Sequence, residues 1–208
     1  MIISKIRLKK HRKTDAPKGI AVFRQNPMKR TIIFDSDWDD EPREQFFLSF
    51  PYVFFAIKYI IRKRKNKDNN KMTTTYRPTK LYACFGTDAE LKSPFEAALP
   101  NIYDDNSVCI DLPYKNYSSI KELVNEVVKC FWTTAFDPEE LNSSYEDYNS
   151  SYEDYDDDDD DDPKIKTLTD YKLWAKKTKQ KPNWIPTAPE MLEIENLDSV
   201  FDFKIKKK

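Results

Sequence analysis

The chain has 208 residues, of which 39% are hydrophobic, 14% aromatic and 34% charged, and its formal net charge is −1. This length favours one domain of roughly 120 to 170 residues with charged tails over two full domains. Only two glycines are present, which excludes the glycine-rich phosphate loops of the common nucleotide-binding proteins. The small net charge conceals separate blocks of opposite sign: residues 1–30 hold ten Lys/Arg against one acid, whereas residues 137–162 hold fourteen acids and no base.

The amino-terminal residues 1–19 alternate apolar and basic side chains, which predicts a basic arm that is either disordered or a short edge strand. A first pair of strands is predicted at residues 21–23 and 31–34, joined by a turn at Asn26–Pro27. After an acidic loop, residues 46–57 are apolar and aromatic on both faces. They predict the centre of the core, as a strand pair or one bent strand broken at Pro51.

A basic stretch, residues 62–71, follows this apolar run and has the composition of a solvated loop or a hairpin tip. The strand pattern resumes at residues 72–76 and 80–85. Such a basic tip could bind nucleic acid, which makes nucleic acid a candidate partner of the basic segments. The alternative is an ordinary exposed loop, because the sequence shows no aromatic platform beside the charges.

Residues 120–132 predict an amphipathic helix, with Ser118 or Ser119 as the N-cap and Glu122 in the first turn. Its apolar side chains recur at i, i+3, i+4 and i+7, so one face should pack on the aromatic strands. The helix is expected to end near Asp137–Pro138. Together these elements predict an α+β domain over residues 20–140, a small antiparallel sheet with a helix packed on one face.

Residues 141–163 predict a disordered acidic insert, since they hold a tandem Asn-Ser-Ser-Tyr-Glu-Asp-Tyr repeat followed by seven aspartates. The insert is either an acidic interaction segment or a repeat expansion with no selected role. The remaining residues, 164–208, predict a short helix around 171–177 and a tail from Trp184 to Phe203 that docks on the domain.

The three cysteines, Cys84, Cys109 and Cys130, are odd in number and widely spaced, and the only histidine is His11. With no CxxC and one histidine we expect no metal site and no cofactor. The basic amino terminus lacks the apolar segment of a signal peptide, and the best apolar run is too short to span a bilayer. These features predict a cytoplasmic, reducing location and no membrane partner.

The residues from Pro100 to Asp111 are the strongest candidate for chemistry. A stiff Pro-Asn pair, a polar turn and a Val-Cys-Ile sequence can fold back so that Asn101 lies near Cys109. The amide could then serve an acyl thioester formed at the sulfur. The alternative is that Cys109 is only a small apolar residue in a strand. Cys84 in a predicted strand and Cys130 on the predicted helix are expected to be structural.

This stretch resembles the active-site segment of the ubiquitin-conjugating (E2) enzymes, which carry His-Pro-Asn, then a cysteine at the same spacing from the asparagine, then a helix closing on Asp-Pro. The correspondence in detail runs from Pro100 to about Pro138. The upstream residues 76–82 make it most similar to prokaryotic E2 family D, also called PRTRC system protein B. Two positions depart from the family pattern: Leu99 replaces the histidine, and Asn106 stands where a turn glycine is usual.

The resemblance implies an E2-like (UBC-like) fold and an acyl transferase of a bacterial or phage conjugation-like pathway. Cys109 would accept a ubiquitin-like protein as a thioester, and Asn101 would stabilise the oxyanion or hold the loop. Asp137 and Glu139 would lie near the incoming amine. The implied partners are a ubiquitin-like protein and its activating enzyme.

Two other interpretations remain open. In the first, the protein keeps the E2-like fold without catalysis and contacts proteins or nucleic acid through its charged segments. In the second, the match is accidental in an unrelated A+T-rich viral or eukaryotic protein.

Overall fold

A computed structural model describes residues 2–8, 16–35, 43–65, 70–92, 94–95, 97, 99–103, 105–136, 168–181 and 184, and they form an α+β structure. The strands and helices of these residues are β1 (Ile2–Leu8), β2 (Lys18–Gln25), β3 (Met28–Phe34), β4 (Glu44–Phe50), β5 (Tyr52–Lys65), β6 (Met72–Gly86), β7 (Pro94–Phe95), α1 (Ile120–Thr133) and α2 (Leu168–Gln180). Five strands form an antiparallel sheet in the order β1-β2-β5-β6-β7, and β3 pairs with β4 in a second sheet. The predicted fold class, a small antiparallel sheet with a helix on one face, is confirmed.

The two sheets are halves of one long bent hairpin. Gln25 pairs with Val53 on one side of the bend and Met28 with Phe50 on the other, so the register continues through it. A proline lies at the bend on each side of the hairpin, Pro27 on one side and Pro51 on the other. A proline has no N–H and cannot donate a ladder hydrogen bond. The predicted turn at Asn26–Pro27 is therefore a bend within a continuing ladder. The break at Pro51 confirms the bent-strand alternative for residues 46–57.

At the amino terminus, β1 pairs antiparallel with β2 from Ile2 to Leu8 and is the first strand in the order of the sheet, whereas residues 9–15 of the predicted basic arm lie outside the described residues. At the opposite side of the sheet, β6 is one strand through both predicted segments, with an irregularity where Lys58 pairs with Lys80 and the next residue, Tyr59, with Pro78. The basic stretch begins as strand, since β5 continues to Lys65, and residues 66–69 lie outside the described part.

Helix α1 packs its predicted apolar face on the sheet. Phe131 lies edge-on to Phe55 with ring centroids 5.0 Å apart, and Trp132 contacts Phe50 at the same separation. Burying side chains of this size contributes roughly 1.5 to 3 kcal/mol each. This aromatic layer is the centre of the core, as the sequence predicted.

The ends of α1 differ in how well they were predicted. Ser119 is the N-cap, and its hydroxyl accepts from the Glu122 N–H at 3.1 Å. The helix ends at Thr133, earlier than expected, because Phe136 leaves it to pair with β3. The Phe136 N–H donates to the Ile33 carbonyl at 2.8 Å, and the Phe136 carbonyl accepts from the Asp35 N–H at 3.1 Å.

Helix α2 packs against β4 and is longer than the predicted 171–177. The Trp174 indole N–H donates to the Ser49 carbonyl at 3.0 Å, and Thr178 Oγ1 lies 3.1 Å from Ser49 Oγ. Trp184 is half-buried against the core. The rest of the tail and the acidic insert 141–163 lie outside the described residues, so the docking of the tail stays a prediction. Neither described helix is long and apolar enough to cross a membrane.

Candidate functional site

The candidate site lies on the outer edge of β6. Three short segments pair with this edge in turn, at Gly86 with Pro94, Tyr82 with Ser107 and Tyr76 with Tyr117. Between the first and second pairings the chain leaves the edge and returns as a small hairpin. We call residues 99–109 the cysteine hairpin.

The backbone of the cysteine hairpin is closed by a ladder of its own. The Cys109 N–H donates to the Asn101 carbonyl at 2.7 Å, and the Tyr103 N–H donates to the Ser107 carbonyl at 2.9 Å. The turn closes where the Asn106 N–H donates to the Tyr103 carbonyl at 2.7 Å. This is the pattern of a three-residue hairpin loop whose last residue is left-handed. The predicted approach of Asn101 to Cys109 is confirmed for their backbones.

Two asparagines supply the positive φ angles that the hairpin needs. Asn106 has φ 59° at the end of the turn, and Asn101 has φ 65° at its base. Among residues other than glycine, asparagine visits this conformation most readily, because its short amide can hydrogen-bond locally. Asn106 therefore adopts the positive φ at the position where the E2 pattern has a glycine.

The hairpin is held on the sheet by backbone bonds and by apolar anchors. The Val108 N–H donates to the Leu81 carbonyl at 2.9 Å, and the Ala83 N–H donates to the Asn106 carbonyl at 3.0 Å. Leu99 is only 3% exposed and belongs to the main core. The position of the expected histidine is thus filled by a core side chain, which fixes the base of the hairpin by packing.

An acidic side chain near the turn is neutralised by a basic one on the sheet. Asp105 accepts from the Ser107 N–H at 2.8 Å and from Lys80 Nζ at 3.3 Å. Partial burial opposes ionisation of Asp105, but the hydrogen bonds from Ser107 and Lys80 outweigh it and lower the pKa of the carboxyl. No sequence pattern predicted the pairing of Lys80 with Asp105, which are 25 positions apart and meet because the hairpin lies on the β6 edge.

The three cysteines occupy different environments. Cys109 is exposed at the end of the hairpin, whereas Cys84 is fully buried in β6 and burial raises the pKa of its thiol. Cys130 lies half-buried on α1, and its thiol donates to the Asp111 carbonyl at 3.4 Å. Cys84 and Cys130 thus sit in the strand and the helix where they were predicted. The accessible sulfur of the candidate site is that of Cys109.

The two other predicted site residues, Asp137 and Glu139, lie outside the described residues. The structure places neither of them relative to Cys109, and their roles remain predictions from the resemblance. Within the described part of the chain, no group of three histidine, cysteine or acidic side chains has a geometry that could hold a metal ion.

Comparisons of the chain with known protein families, with curated proteins and with solved structures gave no match.

Proposed function

We propose that the chain is an E2-like protein of a bacterial or phage conjugation-like pathway, similar to prokaryotic E2 family D and PRTRC system protein B, and that it carries a ubiquitin-like protein as a thioester on Cys109. The observation that carries the proposal is the exposed Cys109 at the end of a hairpin whose backbone pairs it with Asn101. An acyl carrier needs a thiol that a large partner can reach. The thiol must also be held in a fixed position.

In the proposed reaction, the Cys109 thiolate attacks the thioester carbonyl of the modifier on its activating enzyme. A new carbon–sulfur bond forms, the carbon–sulfur bond to the activating enzyme breaks, and the cysteine of that enzyme leaves as a thiolate. A neutral amine of the acceptor then attacks the Cys109 thioester and loses one proton to solvent. The modifier forms an amide and Cys109 leaves as a thiolate. A sulfur serves both steps because it is a strong nucleophile and a good leaving group.

Asn101 takes the role of a neutral hydrogen-bond donor or a loop support in this proposal. The hydrogen bond from the Cys109 N–H to the Asn101 backbone carbonyl supports the loop role in this proposal. An amide can stabilise a developing oxyanion without adding charge to the site. Asp137 and Glu139 are proposed to lie near the acceptor amine on the resemblance alone.

The test uses the full chain with ATP, a candidate activating enzyme and its ubiquitin-like protein. We expect an adduct that a reductant removes, that is absent in Cys109→Ala and that persists in Cys130→Ala. Cys109→Ser should give an ester that resists reductant and is cleaved by hydroxylamine. An adduct that persists in Cys109→Ala would show that Cys109 does not carry the thioester.

A second candidate is a binding protein that keeps this fold without acyl transfer. The observation that favours it is Leu99, because a buried apolar side chain stands where the E2 pattern has a hydrogen-bonding histidine. This candidate predicts no adduct with any activating enzyme, and retained partner binding in Cys109→Ala. The thioester assay and a binding assay on the same variant separate the two functions.

A further inference from the structure

Among the described strands, the hairpin of β5 and β6 extends beyond its neighbour β2. The last residue of β5 paired to β2 is Ile60, opposite Lys18. From Arg62 to Lys65, β5 pairs with β6 alone among the described strands. We call residues 62–65 and 72–75 the basic ribbon. Its four residue pairs span roughly 13 Å at the usual rise of a strand.

Positive charge lies on both faces of the basic ribbon. Successive strand residues point to opposite faces, so Arg62 and Arg64 occupy one face and Lys63 and Lys65 the other. Residues 63–65 are exposed and Arg62 is half-buried. Within the described residues, no carboxylate lies within ion-pair distance of these four side chains.

The strand opposite the charges carries three consecutive hydroxyls. Thr75 pairs with Arg62, Thr74 with Lys63 and Thr73 with Arg64. Residues 58–65 and 70–80 contain no acidic side chain. Cations backed by hydroxyl donors are the side chains that contact phosphate oxygens in protein–nucleic acid interfaces.

An aromatic ring lies at the base of the ribbon, where the sequence suggested none. The Arg77 guanidinium lies 4.7 Å from the ring centroid of Tyr114, which is 86% exposed. Arg77 shares the face of Arg62 and Arg64, because it pairs with Ile60 two residues before Arg62. The arginine face thus runs from the ribbon onto the body of the domain.

We propose that the basic ribbon binds double-stranded DNA by entering the major groove. The groove is about 12 Å wide and admits a two-stranded β-ribbon. A ribbon with cations on both faces meets a phosphate backbone on either side of the groove. Single-strand binders instead present successive aromatic rings on which bases stack. The exposed ring at the base of the ribbon is that of Tyr114, whereas Tyr76 is half-buried and packs edge-on to the buried Tyr59.

The contacts are to phosphates, so binding is independent of sequence and strongly dependent on salt. Five contacts, from the four ribbon cations and Arg77, give a slope of about −4.5 in log K against log salt. Affinity should therefore fall roughly 500-fold between 50 and 200 mM salt. Because Cys109 takes no part, Cys109→Ala should bind DNA as the wild type does, whatever the outcome of the thioester assay.

The test measures fluorescence anisotropy of a labelled 30-base-pair duplex with the full chain. In the ribbon variant, all four cations from Arg62 to Lys65 are changed to glutamine, and the affinity should fall roughly 100-fold. The control variant removes the same charge from exposed helix lysines, through the substitutions Lys121→Gln, Lys129→Gln, Lys176→Gln and Lys179→Gln. Its affinity should stay within about threefold of the wild type.

A second pair of measurements guards against a variant that fails to fold. The double substitution Arg62→Lys with Arg64→Lys keeps the charge and should keep the binding, and circular dichroism should be unchanged in the ribbon variant. Equal losses in the ribbon and control variants would overturn the proposal. So would tighter binding to a single strand of the same length, or displacement of the duplex by polyglutamate at equal charge, which would indicate an acidic protein partner.

Discussion

The cysteine hairpin and the basic ribbon are both hairpin extensions that involve β6, yet they are held in opposite ways. The cysteine hairpin lies along the β6 edge, with backbone bonds to Leu81 and Ala83 and a core anchor at Leu99. The basic ribbon runs past the end of the sheet and is paired only with itself among the described strands. Edge pairing holds one residue in a fixed position, which the proposed acyl transfer at Cys109 requires. A projecting ribbon presents several cations in a row, which the proposed binding to DNA requires.

Cysteine labelling gives the largest expected contrast. Cys109 is exposed and should react with iodoacetamide in the native protein, whereas Cys84 should react only after unfolding. With ordinary domain stability this predicts a rate ratio of at least about 10³. Peptide mass spectrometry of a time course at pH 8 measures both rates, and similar rates would show that the β6 edge opens readily.

Matched truncations in the two hairpins should differ strongly in stability. Leu99→Ala removes a core anchor of the cysteine hairpin and should lower the free energy of unfolding by about 2 to 4 kcal/mol. Thr74→Ala in the ribbon removes a hydroxyl outside the core and should cost less than about 0.5 kcal/mol. Urea unfolding of both variants checks the difference, and equal costs would contradict the contrast between the two hairpins.

The left-handed turn residue gives a smaller effect. Asn106→Gly should be more stable than Asn106→Ala by about 1 kcal/mol, because alanine meets a steric penalty at φ 59° that glycine does not. Both substitutions remove a buried amide oxygen that has no hydrogen-bond partner in the described structure, so their difference isolates the backbone. Thermal unfolding midpoints measure it, and the reverse order would exclude the left-handed turn.

The smallest effect is a pH dependence at the start of α1. Glu122 accepts hydrogen bonds from Ser118 Oγ at 2.6 Å and from the Ser118 N–H at 2.9 Å, and these bonds lower the pKa of the carboxyl. Because the pKa of Glu122 is lower in the folded state than in the unfolded chain, the ionised carboxylate stabilises the fold at pH values above the usual glutamate range. This stabilisation is lost as the pH falls through the folded-state pKa. Between about pH 5 and pH 3 the wild type should lose more stability than Glu122→Gln.

A matched pair of urea titrations at the two pH values measures this difference. Ser118→Ala serves as the control, because it removes the hydroxyl donor while leaving the carboxyl in place. The stability that Ser118→Ala loses between the two pH values should be smaller than the stability that the wild type loses. An equal loss in Ser118→Ala and the wild type would assign the lowered pKa to another cause.

Local patterns predicted the elements whose structure depends on near neighbours in the chain. The stripe of α1, its cap at Ser119 and the break at Pro51 follow from side-chain periodicity, capping and the missing proline N–H. The approach of Asn101 to Cys109 was predictable for the same reason, since a turn of a few residues brings them together. The candidate thiol was thus found from the sequence.

Contacts between distant residues were not predictable in this way. The sequence suggested that Asn26–Pro27 was a turn, but pairing of β3 with β4 continues the ladder and makes it a bend. Likewise, α1 was expected to reach Asp137, but the backbone of Phe136 bonds to Ile33 and Asp35 instead. Each of these pairings joins residues that are far apart in the sequence. A pattern of neighbouring residues carries no information about such pairings.

The sequence by itself determined the α+β class, the amphipathic helix, the blocks of charge and the candidate Cys109. Only the tertiary structure decided that Cys109 is exposed while Cys84 is buried, and that Tyr114 lies beside Arg77 at the base of a projecting ribbon. The reason is that periodicity and turn chemistry act over a few residues. Exposure and the neighbours of a side chain depend instead on which strands share an edge.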